Sequence, residues 1–291
     1  MANQKEIKRR IRTVAKTQQI TSAMRMVSAA KLRRAQDAIL AARPYAQQIW
    51  ATMYELGRRH AELSHPLLRP HSERKRVEVL VIASDRGLCG AFNANVLKAG
   101  LAEIASLSTQ LEQVSVSSVG RKAGEFLRRR RPLEKSWLIG QGVHMSLVRE
   151  VAGHLASRYE SGAVDEVVMV SNEFVSALTQ RPTLVRLLPL VPEASRVRSY
   201  AQDAGREPFV IEPSPSALLD VLVPQALEFS IYRALLESQA GEHAARMAAM
   251  ESATRNTEEL IRSLTLQFNR ARQAAITKEL MEIVSGAEAL K

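Results

Sequence analysis

The sequence has little of several features that define whole classes of protein. It contains one cysteine, Cys89, which excludes an internal disulfide and a multi-cysteine zinc site. Aromatic residues make up 4% of the chain, and no run of about 18 apolar residues is present to cross a membrane. The first five residues lack the apolar core of a signal peptide, so we expect a protein of the reducing cytoplasm.

Positive charge is in excess, and it is concentrated at one end of the chain. The formal net charge is +11. Residues 1–44 contain eleven Lys or Arg and two acids, Glu6 and Asp37, which gives this segment a charge of +9. Such a segment suits a polyanion, whether nucleic acid, an anionic membrane or an acidic protein patch. Alternatively, the basic residues of this segment form a solvated helix face that binds no partner.

Both ends of the chain predict very long helices. From about Gln4 to Arg59, good helix formers are interrupted only by Pro44 and Gly57. Apolar or small residues recur there in steps of three and four, which predicts a narrow stripe for pairing with another helix. The members of this stripe are Ile20, Met24, Val27, Ala38, Ala42, Tyr45, Ile49, Met53 and Leu56.

The C-terminal end repeats the pattern from about Ala217 to Ser285. Its stripe consists of Met247, Met250, Ala253, Thr257, Leu260, Leu264, Phe268, Ala271 and Ala275. About 65 helical residues span on the order of 100 Å, too long for the interior of one compact domain. An isolated exposed helix of this kind is marginally stable. We therefore expect the two terminal helices to pair as an antiparallel coiled coil.

The middle of the chain predicts a small α/β domain. Strands alternate with helices there, which indicates a Rossmann-like fold with a mainly parallel sheet. The expected strands are Val77–Ala83, Val114–Val119, Glu166–Val170 and Leu184–Leu188, and the expected helices are Asn93–Ser106, Lys122–Arg131 and Ser146–Tyr159. The connections to the terminal helices are expected at Arg58–Arg76 and Glu193–Pro215. The predicted domains are residues 1–59, 60–215 and 216–291.

Candidate sites for chemistry are few. Ser84–Asn93 follows a predicted strand, but its glycines do not form G-x-G-x-x-G and no Gly-Lys-Ser/Thr follows, so we expect a tight turn around a buried Cys89 rather than a nucleotide site. His60, His65 and His71 match no spacing of metal ligands. No Ser/His/Asp grouping is visible either. We therefore expect no catalytic residue, no cofactor, no metal and no small-molecule substrate.

Three stretches of the chain together resemble the gamma subunits of rotary F-type ATP synthases. The resemblance covers the terminal helices and the turn after the first strand, in matching order and spacing. The residues that carry it are Lys5–Ile7 and Thr17–Gln36 (TQQITSAMRMVSAAKLRRAQ), Ser84–Gly90 (SDRGLCG), and Arg246–Met250 (RMAAM) with Asn269–Ala287 (NRARQAAITKELMEIVSGA).

The resemblance implies the central-stalk rotor of a proton-translocating ATP synthase. Implied partners are the alpha and beta subunits of the catalytic hexamer, an epsilon-type small stalk subunit and a membrane ring of c subunits, at the cytoplasmic face of a bacterial inner membrane. The residues leave protons and sodium ions open as the coupling ion. Implied contacts with the catalytic ring are Met24, Arg25, Lys31, Arg33, Arg34, Arg246, Gln273, Thr277 and Glu282.

Two functions other than that of a rotor are open to a basic chain with an α/β domain. A basic coiled-coil protein that binds nucleic acid fits the net charge, but it predicts stacking aromatic residues among the basic ones, and residues 1–44 contain none. A nucleotide-dependent enzyme built on the α/β domain lacks a complete motif. We therefore expect no nucleic-acid partner and no catalytic activity in the chain by itself.

Overall fold

The computed structural model describes residues 4–60, 62–190 and 211–288, with side chains described as far as Ser285. Part of the predicted connection Glu193–Pro215, up to residue 210, lies outside the described residues. The helices are α1 (Gln4–Arg59), α2 (Phe92–Gln110), α3 (Arg121–Arg128), α4 (Met145–Glu160) and α5 (Pro215–Glu288), with a 3₁₀ turn at Pro66–Leu68. The strands are β1 (Arg76–Ile82), β2 (Gln113–Val119), β3 (Ser136–Trp137), β4 (Glu166–Phe174) and β5 (Gln180–Leu188).

The chain divides into two compact units. The first, the terminal unit, comprises residues 1–29 and 246–291, and the second, the central unit, comprises residues 30–245. Helices α1 and α5 each contribute residues to both units. The domain limits predicted from the sequence stay a prediction, whereas the limits of the two long helices agree with it to within a few residues. Both helices continue through their prolines, Pro44 and Pro224.

The central unit is built on a five-stranded sheet in the order β3-β2-β1-β4-β5. Strands β3, β2, β1 and β4 are parallel neighbours, and β5 is antiparallel to β4. The four predicted strands are confirmed. The two-residue strand β3 was not predicted, because two residues carry no readable period. The antiparallel edge follows from a short turn at residues 175–179, which is too short for the crossover that parallel strands need.

Alternate residues of the buried strands face two different apolar layers. Val77, Val79 and Val81 pack with α2 and α3, whereas Leu80 and Ile82 pack with α4 and with the parts of α1 and α5 in this unit. This follows from the two-residue period of a strand. The sheet is therefore covered on both faces, as expected for parallel strands. No helix in the described parts of the chain has the length and apolarity needed to cross a membrane.

The predicted apolar stripes are partly wrong in their rotational position. Ile20, Val27 and Leu260 were expected to face the partner helix, yet between 47% and 60% of each is exposed. Tyr45 is half exposed but does contact α5, where its ring lies 4.5 Å from that of Phe229. In the terminal unit, Thr21 and Ser28 are buried instead. Their hydroxyls donate to carbonyl oxygens of their own helix, Gln18 for Thr21 at 3.0 Å and Met24 for Ser28 at 2.8 Å. This satisfies the hydroxyl groups, so burial does not leave a polar atom without a partner.

Candidate functional site

The terminal unit pairs α1 and α5 in opposite directions. The Gln4 side chain donates to the carbonyl oxygen of Ala271 at 3.3 Å. Farther along α1, the Thr254 hydroxyl donates to the Thr21 hydroxyl at 2.9 Å. Residue numbers rise along one helix as they fall along the other, which confirms the predicted antiparallel coiled coil.

Four polar residues join the helices in the middle of this unit, and we call Thr21, Arg25, Glu251 and Thr254 the polar layer. Arg25 Nη1 donates to Glu251 Oε2 at 2.7 Å. The two side chains are 41% and 39% exposed, so this ion pair contributes at most about 1 kcal/mol to stability. Arg25 Nε is buried and has no hydrogen-bond partner in the structure, which is a cost that the pair partly offsets.

The residues expected to contact a catalytic ring fall into three groups. Met24 and Arg25 are half-buried on α1, and Arg246 is buried on α5, all in the terminal unit. Gln273, Thr277 and Glu282 are exposed farther along α5, where Glu282 lies 3.5 Å from Lys278. The third group is exposed on α1 in the central unit and consists of Lys31, Arg33 and Arg34.

The third group has no acidic partner within the described parts of the chain. No ion pair joins Lys31, Arg33 or Arg34 to Asp37, the acid expected nearby. Three cations close together on one exposed helix segment repel each other weakly in water, and an acidic surface relieves that repulsion. Their role in partner contact stays a prediction.

Helix α5 ends in a stretch of exposed apolar side chains that the sequence analysis missed. Gln4, the first described residue of α1, bonds to Ala271, whereas α5 continues to Glu288. Between 49% and 68% of each apolar side chain in this stretch is exposed. We call it the apolar tip, and it consists of Ile276, Leu280, Met281, Ile283 and Val284. The predicted stripe ended at Ala275, so it included none of these residues.

A second apolar surface lies on the outside of α1. Ile20, Met26 and Val27 are 55–60% exposed in the terminal unit, next to the half-buried Met24. Single exposed apolar residues are ordinary, but neighbouring ones on a helix indicate a surface that another protein covers. The exposed apolar side chains of the terminal unit are therefore candidates for contact with another protein.

The turn after β1 is held by its own side chains. The Ser84 hydroxyl donates to the carbonyl oxygen of Arg86 at 2.6 Å, and Asn93 Oδ1 accepts from the Ser84 backbone N–H at 3.0 Å. Asp85 accepts from the backbone N–H groups of Arg121 and Gly140, both at 2.7 Å. Because Arg121 begins α3, the Asp85 carboxylate occupies the position at which a phosphate would bind a helix N-terminus.

Cys89 and Leu88 are neighbours in this turn but differ in exposure. Cys89 is buried, as predicted, and Asn93 Nδ2 lies 3.3 Å from its sulfur. Leu88 has a φ of 61° and is 65% exposed, a backbone conformation that an apolar residue rarely adopts. Nothing in the sequence around Leu88 signals that conformation. The turn therefore presents an apolar side chain to the outside.

A buried ionic cluster beneath α4 was also missed. Glu78 is fully buried on β1, where Arg158 Nε donates to its Oε2 at 2.7 Å and the Ser117 hydroxyl donates to its Oε1 at 2.6 Å. Arg158 also bonds Glu134 at 3.0 Å, and His154 Nε2 lies 3.5 Å from Glu78. Burial of a carboxylate requires such partners. The cluster belongs to the framework of the α/β fold, and none of its residues belongs to the apolar tip or to the exposed surface of α1.

The three histidines predicted not to bind metal have three separate surroundings. His65 Nδ1 accepts from the Leu67 N–H at 3.1 Å, and burial lowers the pKa of this imidazole. His71 lies 3.1 Å from Asp165. His60 lies 3.5 Å from Glu62. Among the described residues, no three His, Cys, Asp or Glu side chains are grouped to hold a metal ion.

Asp165 anchors the opposite end of the sheet. Burial alone would raise its pKa, but the Arg76 side chain, His71 and the backbone N–H groups of Arg76 and Lys75 bond its carboxylate. Together they hold the pKa of Asp165 well below its usual range. The carboxylate is therefore ionised at neutral pH and belongs to the structural framework.

Comparison with known proteins places this geometry in one family. The family model described as ATP synthase matches residues 3–290. The chain is 47% identical over 294 residues to the ATP synthase gamma chain of Heliobacterium modesticaldum, with both chains covered completely. It is 48% identical over 299 residues to the gamma chain of an Anaeromyxobacter species, again over all of both chains.

Solved structures share the fold at lower identity. A central stalk and c-ring structure of the Tetrahymena thermophila mitochondrial ATP synthase matches 80% of this chain and 99% of the solved chain, with a TM-score of 0.58 and 24% identity. A Euglena gracilis mitochondrial ATP synthase structure, showing OSCP, F1 and c-ring, matches 99% of this chain and 94% of the solved chain, with a TM-score of 0.65 and 18% identity.

Proposed function

The chain belongs to the ATP synthase gamma chain family, the central-stalk subunit of F-type ATP synthases, and from this premise we propose which of its surfaces transmit rotation. The terminal unit lies inside the ring of alpha and beta subunits. Ion flow through the membrane ring of c subunits turns the chain, and its uneven surface changes the conformations of the catalytic subunits in sequence. This is conformational coupling, and the chain itself performs no chemistry.

The apolar tip is the observation that carries this proposal. Five large apolar side chains on one helical stretch lie exposed, beyond the level of Gln4 on α1. Fully burying such a side chain stabilises a complex by about 1.5–3 kcal/mol. At 100° per residue the five side chains occupy one wide face of α5, an arc of about 160°, and a socket formed by several surrounding subunits covers such a face more completely than one flat partner does. The tip therefore suits a bearing inside a ring.

The outer surface of α1 supplies the second contact. Exposed Ile20, Met26 and Val27 would pack against the catalytic subunits, and the exposed Lys31, Arg33 and Arg34 would face acidic segments of them. We also propose contacts with the ring for Met24, Arg25, Arg246, Gln273, Thr277 and Glu282. Since Arg246 is buried, its contribution would come through the shape of the coil rather than through its charge.

The remaining partners follow from family membership. We propose that the α/β domain and the nearby coil rest on the c ring together with an epsilon-type subunit, at the cytoplasmic face of a bacterial inner membrane. The relatives at 47–48% identity are bacterial gamma chains, which supports this location. The same relatives favour the rotor over a protein that binds nucleic acid.

The proposed contact between the apolar tip and the hexamer can be tested by substituting polar residues in the tip. We expect Leu280→Gln with Ile283→Gln to weaken binding of the full chain to the alpha–beta hexamer about a hundredfold, because two buried apolar contacts are lost. ATP synthesis in the assembled enzyme should fall with it. Binding is measured by titrating labelled chain into purified hexamer.

A matched control separates this effect from general loss of apolar surface. Val175→Gln with Leu178→Gln also removes two exposed apolar side chains, but from the β4–β5 turn of the central unit. We expect this variant to bind the hexamer normally. Equal binding by the tip variant and the wild type would refute the proposal that the apolar tip contacts the hexamer.

A further inference from the structure

The interior of the terminal unit is unusually polar for a pair of helices. Six of its described side chains are buried, and half of them are polar. The apolar ones are Ile7, Met250 and Leu264, and the polar ones are Thr21, Ser28 and Arg246. Meanwhile Ile20, Met26 and Val27 face outward. The usual hydrophobic signal for aligning two helices is therefore weak in this unit.

The polar layer contains two side-chain to side-chain hydrogen bonds that join the two helices of this unit. The Thr254 hydroxyl donates to Thr21 at 2.9 Å and also contacts the carbonyl oxygen of Met250 at 2.8 Å. One turn along α1, Arg25 bonds Glu251 at 2.7 Å. Glu251 also lies 3.9 Å from Arg255 on its own helix, so it meets a cation on each helix.

Polar contacts of this kind discriminate between alignments more sharply than apolar ones do. If α5 slides by one helical turn, about 5.4 Å, alanine and methionine side chains still find apolar neighbours. Arg25 would instead lose the Glu251 carboxylate and Thr21 would lose the bond from Thr254, so the two bonds between the helices form only in the observed alignment. A single polar residue inside a coiled coil is known to fix its alignment in this way, at a cost in stability.

We propose that the polar layer sets the register of the antiparallel coil, with Glu251 as the positioning residue that holds Arg25. The layer acts as an alignment device, and the outward apolar residues are left free for partner contact. The alignment is a property of the chain by itself. Its consequence for the enzyme rests on the proposed function: a shifted register would present Arg25 and the outer surface of α1 at the wrong level.

Disulfide formation measures the register directly. In a Cys89→Ser background, Thr21→Cys with Thr254→Cys places two thiols where two hydroxyls now meet, so mild oxidation should cross-link the helices of the full chain. Alignment in this variant depends on Arg25 and Glu251. Adding Glu251→Ala should slow cross-linking about threefold or more.

The matched control is Glu258→Ala. Glu258 lies two turns away on α5 and pairs only with Arg262 on the same helix, at 2.9 Å, among the described ion pairs. The Glu258→Ala substitution removes the same charge and leaves the polar layer unchanged, so the rate of cross-linking should not change. Circular dichroism shows whether each variant remains helical. Equal cross-linking rates in folded Glu251→Ala and Glu258→Ala variants would overturn the proposal, as would failure of the parent cysteine pair to cross-link.

Measurements on the assembled enzyme test the register proposal separately from the proposed contacts with the catalytic ring. Glu251→Ala, made without the cysteines, should lower the ATP synthesised per ion translocated, and Glu258→Ala should not. If Glu251→Ala slows cross-linking but leaves coupling intact in the assembled enzyme, the register proposal stands and the proposed role of Arg25 in ring contact fails. The two proposals can therefore fail independently.

Discussion

Gly120 gives a sharp test of the fold that carries the turn after β1, because its backbone and its surroundings both exclude a side chain. Its φ is 95° and its ψ 139°, a region that is nearly closed to other residues. A Cβ at this position would lie 2.0 Å from the carbonyl oxygen of Ala83. That oxygen cannot retreat easily, since the Ala83 N–H donates to Val119 at 2.9 Å and the Gly120 N–H to Trp137 at 2.8 Å.

We expect Gly120→Ala to lower the free energy of unfolding by about 2–6 kcal/mol. About 1–3 kcal/mol comes from the backbone conformation, and about 1–3 kcal/mol from the overlap with Ala83. The matched control is Gly140→Ala. Gly140 has a φ of 72°, but a Cβ there would have no heavy atom within 4 Å. This control should therefore lose only the conformational part, about 1–2 kcal/mol.

Urea unfolding of the full chain, followed by tryptophan fluorescence, measures both variants. Trp50 and Trp137 both lie in the central unit, so the signal reports on the part of the chain that contains both glycines. Equal losses in the two variants, within about 0.5 kcal/mol, would show that the overlap with Ala83 relaxes without cost and that this reasoning is wrong.

Three further predictions concern the rotor surface, catalysis and pH. Replacing Lys31, Arg33 and Arg34 by Gln should leave the helicity of the isolated chain unchanged but reduce ATP synthesis per ion translocated. Normal ATP synthesis and ion pumping in a correctly assembled variant would show that the three residues form a solvated helix face that contacts no partner. The purified chain alone should hydrolyse no ATP, and turnover that disappears with a substitution in the α/β domain would contradict this. Because folding depresses the pKa of Asp165, its contribution to stability is present above the unfolded pKa of about 3.9 and is lost as the pH falls further. The stability difference between wild type and Asp165→Asn should therefore shrink between pH 6 and pH 3, and a constant difference in urea unfolding would rule out this linkage.

The sequence by itself determined the long helices, four of the five strands and the family. Helix and strand periods are local properties, so the composition between Gln4 and Arg59 was sufficient to predict α1 with its observed limits. The alternation from Val77 onward likewise predicted β1 to within one residue. The sequence also predicted that the two long terminal helices pair in opposite directions, because each has an apolar stripe that the other can cover.

Only the tertiary structure decided which sides of the helices meet and which distant side chains pair. Ile20 and Thr21 are neighbours in the sequence, and a rotation of the helix by about 100° decides which of them faces α5. The ion pair of Arg25 with Glu251 joins residues 226 apart, and that of Glu78 with Arg158 joins residues 80 apart. Their geometry depends on the register of the coil and on the sheet topology. Local periodicity constrains neither of these, because it repeats at every turn and fits several alignments equally well.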